Sequence, residues 1–362
     1  MSSSLSFPNR LEAINLHKKD GGAVAAVLPI HYPRALLRAF NFLPVEVWGP
    51  PGIPAGLGGA HLQPYVCAIA HNALSFLLND GLDTAELMVI PHTCDSLQGL
   101  ASILIDFIKP KQPILPIYLP RGIRQSDQDY LAAELGAVYQ RLVEITGRAP
   151  TNQQIMEHIY VEEQADKMLR SLHDAGPTLS LSDLERYSIL RSREYLPPQD
   201  FIALAHQALV LKNDKPNTNI PLIISGILPE PMNVLQTLNE LGASIGGDDL
   251  ACCGRRLYPT GDSVDPFQRM AQSLLGAPPD PTRASSLQER CDYLVELVGK
   301  YNARGVLFYP VKFCEPELFD LPILRRELEK FHIPSIIVET EIDAVPSGQF
   351  VTRIEAFLEM IR

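Results

Sequence analysis

From Gly22 onward the chain alternates strand-length apolar runs with stretches of helical spacing, and this alternation is what most constrains its fold. AAVLPI (Ala25–Ile30) reads as a buried strand, and ALLRAF (Ala35–Phe40) as the helix after it. VEVWG (Val45–Gly49) is the next strand, closed by the breaker run PPGIPAGLGG. A helix over Pro64–Leu78 leads to the strand LMVIPH (Leu87–His92), a helix from Ser96, and the strand PILPIYLP (Pro113–Pro120). Strands separated by helices call for a parallel sheet covered by helices. Between Ser126 and Asp214 the texture changes to apolar residues three and four apart, with loops at Gly147–Pro150 and Ala175–Pro177. The alternation then resumes. PLIISGI, ASIGGDD, GVLFYPV and SIIVETE read as strands. MNVLQTLNELG (with Gly242 as its stop), LPILRRELEKFH and TRIEAFLEMI read as helices. The expected architecture is α/β, with an N-terminal α/β domain over residues 1–125, a helical region over 126–215 and a C-terminal α/β domain over 216–362.

The 362 residues suffice for two or three domains with a sizeable core. A formal net charge of -11 argues against nucleic acid as partner. No apolar run reaches the roughly 18–20 residues of a membrane span. The opening MSSSLSFPNRLEAINLHKKDGG lacks the apolar centre of a signal peptide, so a cytoplasmic location is expected.

In such a chain the six cysteines do not read as a disulfide framework. Cys94 follows the strand LMVIPH, Cys314 follows GVLFYP, and Cys252 and Cys253 follow ASIGGDDL in the turn DDLACCGRR. All lie at the carboxyl ends of expected parallel strands, where open α/β sheets place their ligands. A structural cysteine belongs mid-strand or mid-helix instead. Thiolates beside free backbone N–H groups have lowered pKa values and bind soft metals. Gly254 would let the backbone approach an inorganic sulfide, and exposed amides can hydrogen-bond to cluster sulfur. The paired spacing of zinc sites is missing. Three protein thiolates would leave one iron of a cluster open for chemistry. Cys67 in PYVCAIAHNAL and Cys291 in ERCDYLVEL fall on apolar faces of helical segments, ordinary places for a buried cysteine.

At these residues the chain resembles the subunits of 2-hydroxyacyl-CoA dehydratases and class I benzoyl-CoA reductases. The similarity starts at HYPRALLRAFNFLPVEVWG, with Ala35 where the family often has Glu and Asn41 where it often has Gly. It continues through HTCDSLQG and LGASIGGDDLACCGRR to the C-terminal pieces FCEP, IPSIIVETE and GQFVTRIEAF, in order and at family spacing. The resemblance implies two Rossmann-like or flavodoxin-like domains with a helical region. It also implies one 4Fe-4S cluster on Cys94, Cys314 and one of the Cys252–Cys253 pair. The family's Cys-x-Gly-x-Arg pattern selects Cys252, with Gly254 and Arg256, and Cys253 stands as its substitute. A related branch holds a double-cubane cluster, for which six cysteines suffice in number and a position like that of Cys67 is shared.

The chemistry so implied is ATP-dependent, low-potential reduction or dehydration of an acyl-CoA. Electrons would come from a cluster-bearing ATPase activator, and a related subunit would complete a hetero- or homodimer. The alternatives are an electron-relay or scaffold subunit that binds a cluster but no substrate, and a degenerate member with structural or regulatory duties. Asp95, Asp248 and Asp249 are candidates for orienting loops or moving protons, with capping an equal alternative. Arg255 and Arg256 either offset cluster charge, meet CoA phosphates, or form ion pairs. His92 reads as a loop histidine with a lesser claim as proton donor. Gln349, Thr352 and Arg353 read as a turn into the last helix, and Glu46 and Trp48 as structural.

Overall fold

The computed structural model describes residues 5–50, 52–53, 56–212, 218–342 and 346–362. The boundary expected at 215–216 and part of the breaker run lie outside the described residues. The first sheet contains β1 (Ala23–Val27), β2 (Phe42–Glu46), β3 (Leu87–His92) and β4 (Ile114–Tyr118), all parallel, in the order β2-β1-β3-β4. Its helices are α1 (Arg10–Lys19), α2 (Arg34–Ala39), the single turn α3 (Gly56–Gly59), α4 (Ala68–Leu78) and α5 (Asp95–Ile103). Four helices follow: α6 (Gln125–Thr146), α7 (Asn152–Ala175), α8 (Asp183–Ser192) and α9 (Pro198–Leu209). The second sheet holds β5 (Ile220–Gly226), β6 (Ala243–Leu250), β7 (Gly305–Tyr309) and β8 (Ser335–Ile337), parallel in the order β6-β5-β7-β8. Around it lie α10 (Asn233–Glu240), α12 (Leu287–Lys300), α13 (Glu315–Lys330) and α14 (Gly348–Ile361), while α11 (Pro266–Leu275) packs on α6 and α7 in the first sheet's core. This is the α/β architecture expected, with two parallel sheets and helices between them.

Several boundaries shift for local reasons. β1 ends at Val27 because Pro29 has no N–H to give, and Ile30 and His31 turn into the left-handed region at φ 59° and 56°. β2 spans Phe42–Glu46, not Val45–Gly49; it is an edge strand, where Pro44 need not break the ladder. The helix expected from Pro64 begins only at Ala68, which leaves Cys67 at its N-cap. Periodicity gives no hint of α1. Its signal is a capping box, in which Asn9 Oδ1 accepts from Glu12 N–H at 3.0 Å and Glu12 accepts from Asn9 N–H at 2.8 Å. Asp265 caps α11 in the same spirit, with Pro266 at the first helical position.

The helices between the sheets join them. α7 packs on α2 and α9, and α6 packs on β4 and α11. Leu131, Leu135 and Leu142 of α6 are fully buried in this seam, each worth about 1.5–3 kcal/mol relative to exposure. In both sheets the strand order reverses at the same place, between β1 and β3 and between β5 and β7. Such a reversal opens a crevice outside the strands' carboxyl ends.

Candidate functional site

The segments leaving those four strands meet at one cavity of about 50 Å³. Pro29 and Ile30 follow β1, Thr93 and Cys94 follow β3, Ile227 follows β5, and Cys314 follows β7. Cys67 and Trp48 complete the wall on the first-sheet side. Three cysteines therefore line one mostly apolar space, and each occupies a helix N-cap: Cys67 of α4, Cys94 of α5 and Cys314 of α13. At an N-cap the first backbone N–H groups lack intrahelical partners. The amides of Ile69 and Ala70 act to lower the Cys67 thiol, and those of Ser96 and Leu97 the Cys94 thiol.

Two of the three thiols, Cys94 and Cys314, are poor acids where they stand. Burial pushes Cys94 up to about 11. A contact between the Cys67 and Cys314 thiols, together with burial, raises Cys314 well above the usual value, while the same contact lowers Cys67. Thiolates in so dry a place need a cation in exchange for their protons, and a soft metal is the natural one. Among the described residues no three His, Cys, Asp or Glu side chains close around a single ion. A four-iron cube differs in that it takes each thiolate on a separate iron. The three sulfurs, the helix amides and the apolar wall suit such a cluster as a donor set.

Cys252 and Cys253 are placed otherwise. Their Sγ atoms lie 3.5 Å apart and both residues are buried, but from their turn only Ala251 reaches the cavity. Of the trio expected from sequence, the cavity brings Cys94 and Cys314 together, with Cys67 as the third cysteine in its lining, and neither Cys252 nor Cys253 lines it. The role expected of Gly254 also changes. A Cβ there would stand 2.2 Å from the Asp248 carbonyl oxygen, so the close approach it permits is to Asp248, whose Oδ1 accepts the Gly254 N–H at 2.7 Å. Cys291 sits on α12 in a separate apolar cluster with Ile223, Leu294 and Phe308.

The charged candidates form buried ion pairs. Arg255 is fully buried between Asp249, at 2.7 Å, and Glu317, and so cannot meet CoA phosphates. Arg256 crosses from the second sheet's turn to Glu46 at the end of β2, donating to both carboxylate oxygens. Glu46 also accepts from Arg34 at 2.8 Å, Tyr32 at 2.9 Å and Trp48 at 3.0 Å, which makes it structural as expected. Asp248 accepts from His173 and Tyr187, each at 2.8 Å. Burial pushes its carboxyl up, but the His173 ring and the hydrogen bonds outweigh that and hold it below the usual range. Asp95 is the exposed first residue of α5. Half-buried His92 lies edge-on to Tyr118 and lines a small polar crevice beside Cys94. Gln349, Thr352 and Arg353 are exposed in the first turns of α14, capped by Ser347.

The profile of the 2-hydroxyglutaryl-CoA dehydratase D-component family matches residues 29–361. The chain belongs to that family. Among curated relatives it is 23% identical to the (R)-phenyllactyl-CoA dehydratase beta subunit of Clostridium sporogenes, over 95% of this chain and 93% of that one. It is 22% identical to the lactoyl-CoA dehydratase beta subunit of Anaerotignum propionicum, over 98% and 96% of the two chains. It is 24% identical to a benzoyl-CoA reductase subunit of Thauera aromatica, over 86% and 84%. Among the described residues no helix is long and apolar enough to cross a membrane.

A second cavity of about 380 Å³ opens on the other side of Trp48. Val24 and Ala26 of β1 and Val45 of β2 form its floor, Ile14 and Phe76 its sides, and Arg10, Arg191 and Tyr195 its polar edge. Arg10 and Arg191 are each paired with Glu194, at 2.7 and 2.8 Å. Its size is that of a small-ligand pocket.

Proposed function

We propose that this chain is the iron–sulfur subunit of an ATP-dependent, low-potential acyl-CoA dehydratase or reductase, with one 4Fe-4S cluster on Cys67, Cys94 and Cys314. The observation that carries this reading is the convergence of three cysteine-capped helices on one cavity, where the switch points of both sheets meet. When bound, such a cluster supplies single low-potential electrons and one iron without a protein thiolate. The chain's own part is to hold the three sulfurs at helix N-termini and keep the space dry. Trp48, which lines both cavities, would separate the cluster from an acyl group seated in the 380 Å³ pocket. Electrons would arrive from a cluster-bearing ATPase, and a related subunit would complete the enzyme, in keeping with the subunit names of the relatives. A double cubane is disfavoured, because Cys252, Cys253 and Cys291 do not line the cavity.

The test is anaerobic reconstitution with iron and sulfide. About four irons and four sulfides per chain are expected. A chain that holds no sulfide-linked iron after purification from excess reagents would overturn the reading.

A further inference from the structure

The lining of the 380 Å³ pocket carries information about what it can hold. Val24, Ala26 and Leu28 alternate along the chain, so they face one side of the first sheet and share one apolar cluster. Ala26 is the smallest of the three, and Val45 of β2 is its neighbour across the ladder. The room above Ala26 is the depth of the pocket, with Ile14, Phe76 and Leu82 in the remaining apolar wall. Val24 and Ala26 are each 2% exposed, so this floor lies well below the surface.

The edge is charged, but its charges are committed. Arg191 donates from Nε to Glu194 at 2.8 Å and from Nη1 to Glu230. Arg10 donates from Nη2 to Glu194 at 2.7 Å and from Nη1 to the Glu46 backbone carbonyl. The Glu46 carboxylate, also in the lining, is held by Arg34, Arg256, Tyr32 and Trp48. Both lining arginines therefore already face carboxylates of the protein itself. A ligand carboxylate brought here would lose water with no uncommitted cation to receive it. An uncharged apolar group would exchange water for aliphatic and aromatic side chains.

We propose that this pocket selects acyl groups that are uncharged and apolar throughout, of the size of a phenyl or short branched alkyl group, and rejects acyl groups that end in a carboxylate. The proposal rests on the reading of the pocket as the acyl site given above. Glu194 and Glu230 set the charge selection by occupying the arginines, and Ala26 sets the depth.

The test needs no turnover, because Trp48 is the chain's single tryptophan and lines the pocket. The full chain without iron is titrated with 3-phenylpropionyl-CoA, glutaryl-CoA and acetyl-CoA, followed by Trp48 emission and by equilibrium dialysis. Dialysis is repeated on the iron-loaded chain. The phenyl thioester is expected to shift the emission to the blue and to bind at least about tenfold more tightly than the other two. Glu230→Gln, at the half-buried edge, frees one arm of Arg191 and should narrow the preference over glutaryl-CoA by about threefold or more. Ala26→Phe fills the depth, so it should weaken the phenyl thioester at least about tenfold while the melting temperature holds or rises. Should that variant not fold, the wild-type ranking and Glu230→Gln decide. No binding, equal affinity for the phenyl and glutaryl thioesters, or binding in dialysis that leaves Trp48 emission unmoved overturns the proposal. A chain that prefers the phenyl thioester but holds no sulfide-linked iron loses the cluster reading and keeps the pocket. One that loads iron without that preference loses the pocket alone.

Discussion

Cys67 and Cys252 are both buried thiols in connections between elements, yet the fold gives them different surroundings. Cys67 lies at the start of a helix with Cys314 as neighbour, while Cys252 has Cys253. Cys67→Ser is therefore expected to lose most of the reconstituted iron, and Cys252→Ser to keep it, as read by iron and sulfide analysis of the purified chains. The distinction is legible in the sequence once the right feature is compared. PYVC-AIAHNAL, HTC-DSLQGL and KFC-EPELF each set a cysteine directly before a helical run, whereas Cys252 precedes a second cysteine and a three-residue turn. Strand ends alone do not make this choice, because the turn after β6 also lies at a carboxyl end.

At the scale of elements, the turn from β6 to Arg256 is fixed by contacts rather than by a ligand. Gly254→Ala would drive a methyl against the Asp248 carbonyl oxygen and should destabilise the chain by about 1–3 kcal/mol, measured by urea unfolding. Arg256→Ala should cost more, about 3–5 kcal/mol, because it leaves Glu46 buried with fewer partners. Both residues belong to a pattern that the sequence makes visible, but their tasks there are steric and ionic. The strands and most helices are readable from periodicity. The errors fall where proline sets an edge strand at β2, or where a capping box opens a short helix of weak amphipathicity at α1. The 380 Å³ pocket belongs to this scale too, since it lies between elements. Thr84 stands exposed at its margin, so Thr84→Trp should raise the KM for an acyl-CoA several-fold with little change in melting temperature, by steady-state kinetics and calorimetry.

Across the whole molecule, three buried carboxylates contribute to the response to acid. Burial pushes the Asp248, Asp280 and Glu317 carboxyls up, but their His and Arg partners outweigh it and hold all three below the ordinary range. A depressed carboxyl contributes stability above the unfolded value near 4, and that contribution is lost as pH falls through the folded value. On account of these three the denaturant midpoint should fall steeply below about pH 4. Asp248→Asn should flatten that fall while lowering the midpoint at about pH 7. None of these partnerships is visible in the sequence, because His173, Tyr187 and Asp248 come from the helical region and the second sheet.

The cysteine cavity draws its walls from both halves of the chain, with Cys67 and Cys94 from one and Cys314 from the other. Neither half holds a complete donor set, so no fragment separated between the sheets could retain a group bound across all three. Occupancy and docking of the halves are then one equilibrium. A group filling the seam would act as a rivet, stabilising the closed arrangement by an amount that grows with the logarithm of its concentration relative to its dissociation constant. Stripping it should loosen the joint between the sheets before either sheet melts.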